Sequence, residues 1–309
     1  MKNFELICTI GPSCEDENKL KILKDTGVDI FRVNLSHTNI ESLHKFCDIS
    51  EKLNLKIGFD TEGAQIRTKN FESKVVNLKK GEKFDISRDQ DNSSEKYIID
   101  LYPLKVKKLL DIDMLVRFDF NGAVAKVVSK NEFNIQLECI NSGIVGNNKG
   151  VDILNHQVNL PDFTEKDLEA LDIARERDIK EVFISFCKSY EAVKKVKELV
   201  PNSRVTSKIE SKLSINNLEN ICKITDALLI DRGDLTREIS IMDIPFAQRG
   251  ILKIASQNKI PCFIATNILE SLINGSLPTR AELNDIIGTL EMGASGLVLA
   301  AETAIGKKP

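Results

Sequence analysis

The chain has 309 residues, enough for one large domain or a large domain with an insert, and 42% hydrophobic residues can build a sizeable core. With 43 basic and 46 acidic residues the net charge is −3, a balance that argues against nucleic-acid binding. No run approaches ~18 consecutive apolar residues, so a helical membrane span is not expected. Seven cysteines are scattered without C-x-x-C spacing and read as free thiols of a reducing cytoplasm, with three histidines too few to complete zinc sites. Met1-Lys2-Asn3-Phe4 runs into an apolar stretch without a signal-peptide pattern, which agrees with a cytoplasmic location.

In chain order, short apolar runs at 6–9, 30–34 and 56–60 read as strands. After an interruption they resume at 182–185, 204–209, 227–230, 262–265 and 296–299. Amphipathic helical patterns lie between most of them, as at 165–177, 189–199 and 244–257. This alternation predicts a parallel sheet with helices outside, and eight strands fit a TIM (β/α)8 barrel better than an open sheet. No G-x-G-x-x-G opens a helix, which weighs against a dinucleotide fold.

The interruption, 69–156, changes to short alternating runs and turns. Asn121-Gly122 between apolar stretches is a strong hairpin signal. We read it as a small β-barrel domain inserted after the third barrel strand, a lid over the face where barrel active sites lie, with the barrel itself formed by 1–68 and 157–309. Ten residues follow the eighth strand, so the last barrel helix is expected to be lacking. The uncovered seam is expected to meet a second copy of the chain or a partner chain.

Polar residues collect at the strand ends. They are Arg32, Asn34, Ser36 and His37 after the second strand, and Asp60, Thr61 and Arg67 after the third. Ser185 follows the fourth, Lys208 and Glu210 the fifth, Gly233 and Asp234 the sixth, Thr266 and Asn267 the seventh, and Glu302 and Thr303 the eighth. One such carboxylate alone is more often a cap or a surface ion pair. A lysine and two carboxylates converging at one end of a sheet suit chemistry on negatively charged groups, with phosphoryl transfer leading.

Several segments carry a resemblance. They include Cys8-Thr9-Ile10-Gly11-Pro12-Ser13, Phe31-Arg32-Val33-Asn34-Leu35-Ser36-His37 and Asp60-Thr61-Glu62-Gly63-Ala64-Gln65-Ile66-Arg67-Thr68. Further along come Lys208-Ile209-Glu210, Arg232-Gly233-Asp234-Leu235, Ala265-Thr266-Asn267-Ile268-Leu269-Glu270-Ser271, Pro278-Thr279-Arg280-Ala281-Glu282 and Glu302-Thr303-Ala304. In content and order they resemble the pyruvate kinase family, over almost the whole chain but faintly inside the insert. The resemblance implies a barrel A domain with a B-domain lid and without the family's C-terminal domain. It also implies transfer of a phosphoryl group from phosphoenolpyruvate to ADP, giving pyruvate and ATP.

The roles it implies are specific. Glu210 and Asp234 would hold Mg²⁺ or Mn²⁺. Lys208 would neutralise the transferring phosphoryl group and the enolate. Arg67 would clamp the phosphoryl group and Arg32 the nucleotide phosphates. Asn34, His37 and Lys149 would also contact the nucleotide. Ser185 and the N–H groups of Gly233 and Asp234 would receive substrate, and Thr266 would stand by the enolate methylene carbon. Asn34, Ser36, Asp60 and Thr61 match the family's K⁺ ligands.

The chain departs from the family at several points. Glu62 replaces a lysine. Gln65 leaves potassium dependence open. Asp231 replaces a small residue beside the substrate carboxylate, which it would repel if it faced the pocket. Thr236-Arg237 replaces a glycine-led sequence, Phe120-Asn121-Gly122 replaces paired aspartates, and Asp152-Ile153-Leu154-Asn155 replaces the hinge. Two alternatives therefore stand beside the kinase. One is a lyase or aldolase forming a metal-bound pyruvate enolate on the same barrel; the other is a non-catalytic partner protein.

Overall fold

The computed structural model describes residues 4–69, 75–87, 99–103, 105–119, 122–131, 134–154, 156, 158, 160–275 and 277–309. Met1–Asn3, Phe120, Asn121 and Asn155, which enter the sequence reading, lie outside them. The chain divides into two units, one of Met1–Gly63 with Asp162–Pro309 and one of Ala64–Pro161. The division falls outside the 69–156 read from the sequence, because Ile66–Lys69 pairs with strands of the second unit.

In the first unit eight parallel strands close a barrel. In chain order they are Glu5–Thr9, Ile30–Asn34, Ile57–Asp60, Glu181–Ile184, Arg204–Ile209, Ala227–Asp231, Cys262–Ala265 and Gly296–Leu299. The first strand pairs with both the second and the eighth, which seals the cylinder. After the eighth strand the chain makes a single turn of helix, Ala301–Ala304.

Because successive strand residues face opposite sides, each barrel strand sends alternate residues inward and outward. Ile7, Ile30, Phe183, Ala227, Leu229, Phe263, Ala265 and Val298 form the inner apolar cluster. The outward residues, such as Val33, Phe59, Val182, Val205 and Ile264, pack in a larger core with the helices. The same parity places the chemistry. Two residues beyond Ile30 comes Arg32, beyond Phe183 comes Ser185, and beyond Leu229 comes Asp231. Lys208 is the register partner of Leu229, and Asp60 that of Phe183, so both turn inward. A polar layer thus caps the apolar one at the C-terminal end of the strands.

The opposite end carries an ion network. Arg204 reaches Glu5 (2.8 Å) on the first strand and Glu181 (2.8 Å) on the fourth, and its guanidinium lies 5.5 Å from the Phe263 ring centroid. Glu181 is 1% exposed and also meets Lys56 at 2.5 Å.

Helix starts are set by side-chain caps. Thr164 and Asp167 form a capping box on Glu165–Glu176, and Thr279 and Glu282 form one on Arg280–Glu291. Glu282 accepts from the N–H groups of Ser271 and Thr279 and from both hydroxyls, which holds its carboxyl down at about 2. That value lies below the ~4.3 of an unfolded glutamate, so Glu282 stabilises the fold above roughly pH 4.3, and the contribution fades as pH falls toward the folded value. Glu282→Gln is therefore expected to lower the unfolding midpoint at pH 7, with the gap to wild type narrowing below about pH 4.3. Parallel thermal melts across that range check it; a gap that is constant with pH would contradict it.

The second unit is a seven-stranded antiparallel sheet whose edge strands, Lys83–Ser87 and Asp100–Tyr102, approach each other in a barrel-like curl. A two-stranded ribbon joins Val75–Leu78 to Gly143–Gly146. Alternating residues of these strands, including Leu78, Phe84, Phe118, Leu137 and Val151, build a separate core. Leu115–Phe118 pairs antiparallel with Val124–Lys130, the hairpin expected around Asn121-Gly122.

Candidate active site

Lys208 is the centre of the polar layer. It is 4% exposed, and its Nζ lies 2.8 Å from Glu210 Oε1, 3.2 Å from Asp60 Oδ2 and 3.8 Å from Asp231 Oδ2. It also donates to Ser185 Oγ at 3.0 Å. Burial opposes charge on an amine, but Asp60, Glu210 and Asp231 outweigh it and raise the Lys208 pKa above its ordinary value. Lys208 is therefore a fixed cation.

Asp60 is fully buried and joins three elements. It accepts from Ser185 Oγ (3.1 Å) and Lys208, and faces Arg32 Nε at 3.4 Å. Arg32 is itself 4% exposed, and its Nη1 has no hydrogen-bond acceptor among the described residues. A buried guanidinium with spare donors is suited to an anion.

Glu210 Oε2 accepts from the Phe186 N–H at 2.6 Å. Burial pushes the Glu210 carboxyl up to about 8, with Asp234, Asp231 and Asp60 adding to the rise and Lys208 opposing it. Glu210, Asp231 and Asp234 bring carboxylate oxygens within 4.8 Å of one another. Three hard oxygen donors so close suit a divalent cation such as Mg²⁺ or Mn²⁺. Asp234 also pairs with Arg237 at 3.6 Å.

Asp231 faces inward, toward Lys208 in the polar layer. It is the last residue of the sixth strand, and it caps the one-turn helix Arg232–Leu235 without a side-chain capping bond. Its Oδ1 instead accepts from Thr266 Oγ1 at 2.6 Å. Burial alone would raise its pKa, but Lys208, the Thr266 hydroxyl, Arg32 and the Asp234 N–H hold it below the usual aspartate value. An anion thus stands beside the Gly233 and Asp234 N–H groups that were expected to receive a substrate carboxylate.

Thr266 follows the seventh strand and would face the helices if alternation continued. Instead Thr266 (φ 74°) and Asn267 (φ 56°) are both left-handed, a conformation that costs a non-glycine residue about 1–3 kcal/mol. Arg232 holds this turn, donating to Thr266 O (2.8 and 3.0 Å) and Asn267 O (2.9 Å) while pairing with Asp285. Buried Glu302 takes the next two N–H groups, of Ile268 and Leu269.

The other expected residues separate into two groups. In the barrel, Thr61 Oγ1 accepts from the Ser185 N–H, and Asn34 is the register partner of Asp60. Asn34 Oδ1 accepts from the Ser36 N–H, while His37 is exposed with its N–H on Asn34 O. Glu62, where a lysine was expected, meets Lys166 at 3.5 Å, and its N–H and that of Gly63 are held by buried Asp167. Arg67 and Lys149 belong to the second unit. There Arg67 donates to Asn148 O (3.2 Å), and Lys149 pairs with Asp119 (3.3 Å).

Sequence reasoning missed Asp60 as the hub of the Arg32–Lys208 network, and it gave no role to Arg232 or Glu302. The inward direction of Asp60 follows from its register with inward Phe183, which barrel closure sets and no local pattern shows. The contacts by which Arg232 and Glu302 hold the Thr266–Leu269 turn reach across 33 to 35 residues and leave no local signal.

A closed parallel barrel with a buried lysine among carboxylates at its C-terminal rim defines a TIM-barrel protein with a charged, buried strand-end layer. The family model for the pyruvate kinase barrel domain matches residues 1–309. Pyruvate kinase of Chlamydia muridarum is 32% identical across 99% of this chain and 66% of its own length. Pyruvate kinase of Thermotoga maritima is 31% identical across 100% and 68%, and that of Methanocaldococcus jannaschii 33% identical across 100% and 67%. The chain belongs to the pyruvate kinase family and spans about two thirds of the length of these relatives.

Proposed function

We propose that the chain is a pyruvate-kinase-like phosphotransferase, moving a phosphoryl group between phosphoenolpyruvate and ADP to give pyruvate and ATP. The observation that carries this reading is the buried Lys208 cation amid Asp60, Glu210 and Asp231, with Asp234 completing a carboxylate cluster. Glu210 and Asp234 would hold Mg²⁺ or Mn²⁺, and Asp231 adds a third oxygen donor at the same place. A divalent cation bound there supplies charge neutralisation at phosphoryl and enolate oxygens.

The protein groups divide the remaining work. Lys208, fixed in place, stabilises the charge that gathers on the oxygen between phosphorus and the enolate carbon. Arg32 offers buried donors to phosphate oxygens. Thr266 presents its hydroxyl oxygen beside Asp231, at the position assigned to the enolate methylene carbon. Asn34, Ser36, Asp60 and Thr61 are proposed to serve a K⁺ ion. Charge neutralisation by fixed groups is the main resource of phosphoryl transfer, which asks for little covalent help.

The test is pyruvate release from phosphoenolpyruvate and ADP with Mg²⁺ and K⁺. Turnover that stops on chelation of the divalent ion and returns with Mn²⁺ is the expected result. A folded protein without turnover under these conditions would overturn the assignment. Metal-dependent exchange of pyruvate methyl protons without any ADP reaction would favour enolate chemistry on the same barrel.

A further inference from the structure

We propose that Asp231 is a positioning residue for Thr266, fixing the threonine hydroxyl in the pocket by accepting its proton in a hydrogen bond while the neighbouring Arg232 fixes its backbone. This placement rests on the enolate reaction proposed above. Of the pair only the hydroxyl can donate to an ionised carboxylate, so the 2.6 Å contact sets the direction of the O–H bond. The Thr266 oxygen then turns its lone pairs, not its hydrogen, toward the rest of the pocket.

The turn needs such a clamp. Thr266 is β-branched and left-handed, so its own conformational preferences oppose the observed backbone. Arg232 takes the Thr266 and Asn267 carbonyls and is anchored on Asp285. Asp231 takes the side chain of the same residue and is itself buried. Two consecutive residues at the end of the sixth strand thus grip both halves of Thr266. Gly233, next in the chain, could not carry a side chain, because an added Cβ would lie 2.8 Å from Thr266 Cγ2. A residue without a carboxylate at position 231 would leave the hydroxyl unguided.

Two variants separate positioning from charge. Asp231→Asn keeps an acceptor oxygen for Thr266 and removes the charge; Asp231→Ala removes both. In protein labelled at threonine methyl groups, NMR couplings should show one Thr266 rotamer in wild type and in Asp231→Asn, and averaging in Asp231→Ala. Deuterium exchange of pyruvate methyl protons with saturating Mg²⁺ should fall about tenfold or more in Asp231→Ala, the scale of one charge-assisted hydrogen bond. Thr266→Val should fall at least as far, with no further loss when Asp231→Ala is added. A single unchanged rotamer in Asp231→Ala would overturn the proposal. So would a further loss of exchange when Asp231→Ala is added to Thr266→Val. Wild-type protein without any exchange would sink the enolate reaction instead, and the rotamer measurement would still decide the positioning.

Discussion

Replacing Lys208 by methionine is expected to lower turnover by at least about a thousandfold, the scale on which loss of a fixed transition-state donor is felt. Methionine fills a similar volume, so the change is chiefly one of charge. The ammonium meets Asp60, Ser185 and Glu210 within 3.2 Å, and the charge it sets against the transferring group cannot be replaced by solvent at a 4% exposed site. The same substitution removes the cation shared by Asp60, Glu210 and Asp231 and leaves Arg32 as the remaining positive charge beside Asp60. Breaking a buried ion pair from one side costs about 3–5 kcal/mol, so a lower unfolding midpoint should accompany the lost activity. Circular dichroism and a thermal melt distinguish a folded, inactive variant from an unfolded one. Turnover near wild type in folded Lys208→Met protein would remove Lys208 from the chemistry.

Arg204→Ala should have a large effect on stability and leave the polar rim intact. Arg204 ties the first barrel strand to the fourth through Glu5 and Glu181, residues far apart in the chain. Glu181 is 1% exposed, and in the variant Lys56 alone would remain to balance it. The guanidinium also loses its place beside Phe263, an inner-cluster residue. The loss of a desolvated partner is worth about 3–5 kcal/mol, and at ~2–4 °C per kcal/mol for a unit of this size the midpoint should fall roughly 6–20 °C. Glu5→Gln, whose partner is more exposed, should cost clearly less. A drop of under ~2 °C for Arg204→Ala would show that the network holds nothing.

Much of the barrel was legible because its strands are short apolar runs with polar ends. Four of the eight, including Arg204–Ile209 and Cys262–Ala265, match their expected bounds. The fourth begins earlier than expected, at Glu181, because a buried charge satisfied by Arg204 and Lys56 looks like a loop residue when read alone. The sixth runs one residue further, to Asp231, and that extra residue decides which way a carboxylate points. From sequence the direction of Asp231 stayed open, since it depends on where the strand ends and on a hydroxyl 35 residues away. Lys208, Glu210 and Asp234 were legible as a set because their spacing follows two adjacent strands. Their joining with Arg32 through Asp60 was not, because closure of a barrel brings together strands that no local pattern connects.

The rim of the barrel holds three non-glycine residues in left-handed backbone, Phe186, Thr266 and Asn267, each tied down by a side chain from another strand or loop. Glycine at any of them would relieve the left-handed backbone. It would also free the segment from the contacts that aim it, since glycine carries no preference of its own. Selection for robustness and selection for aim therefore pull these positions in opposite directions. A search for a hardier version of this barrel would drift first toward glycine at the rim, and would lose its aim there before it lost its shape.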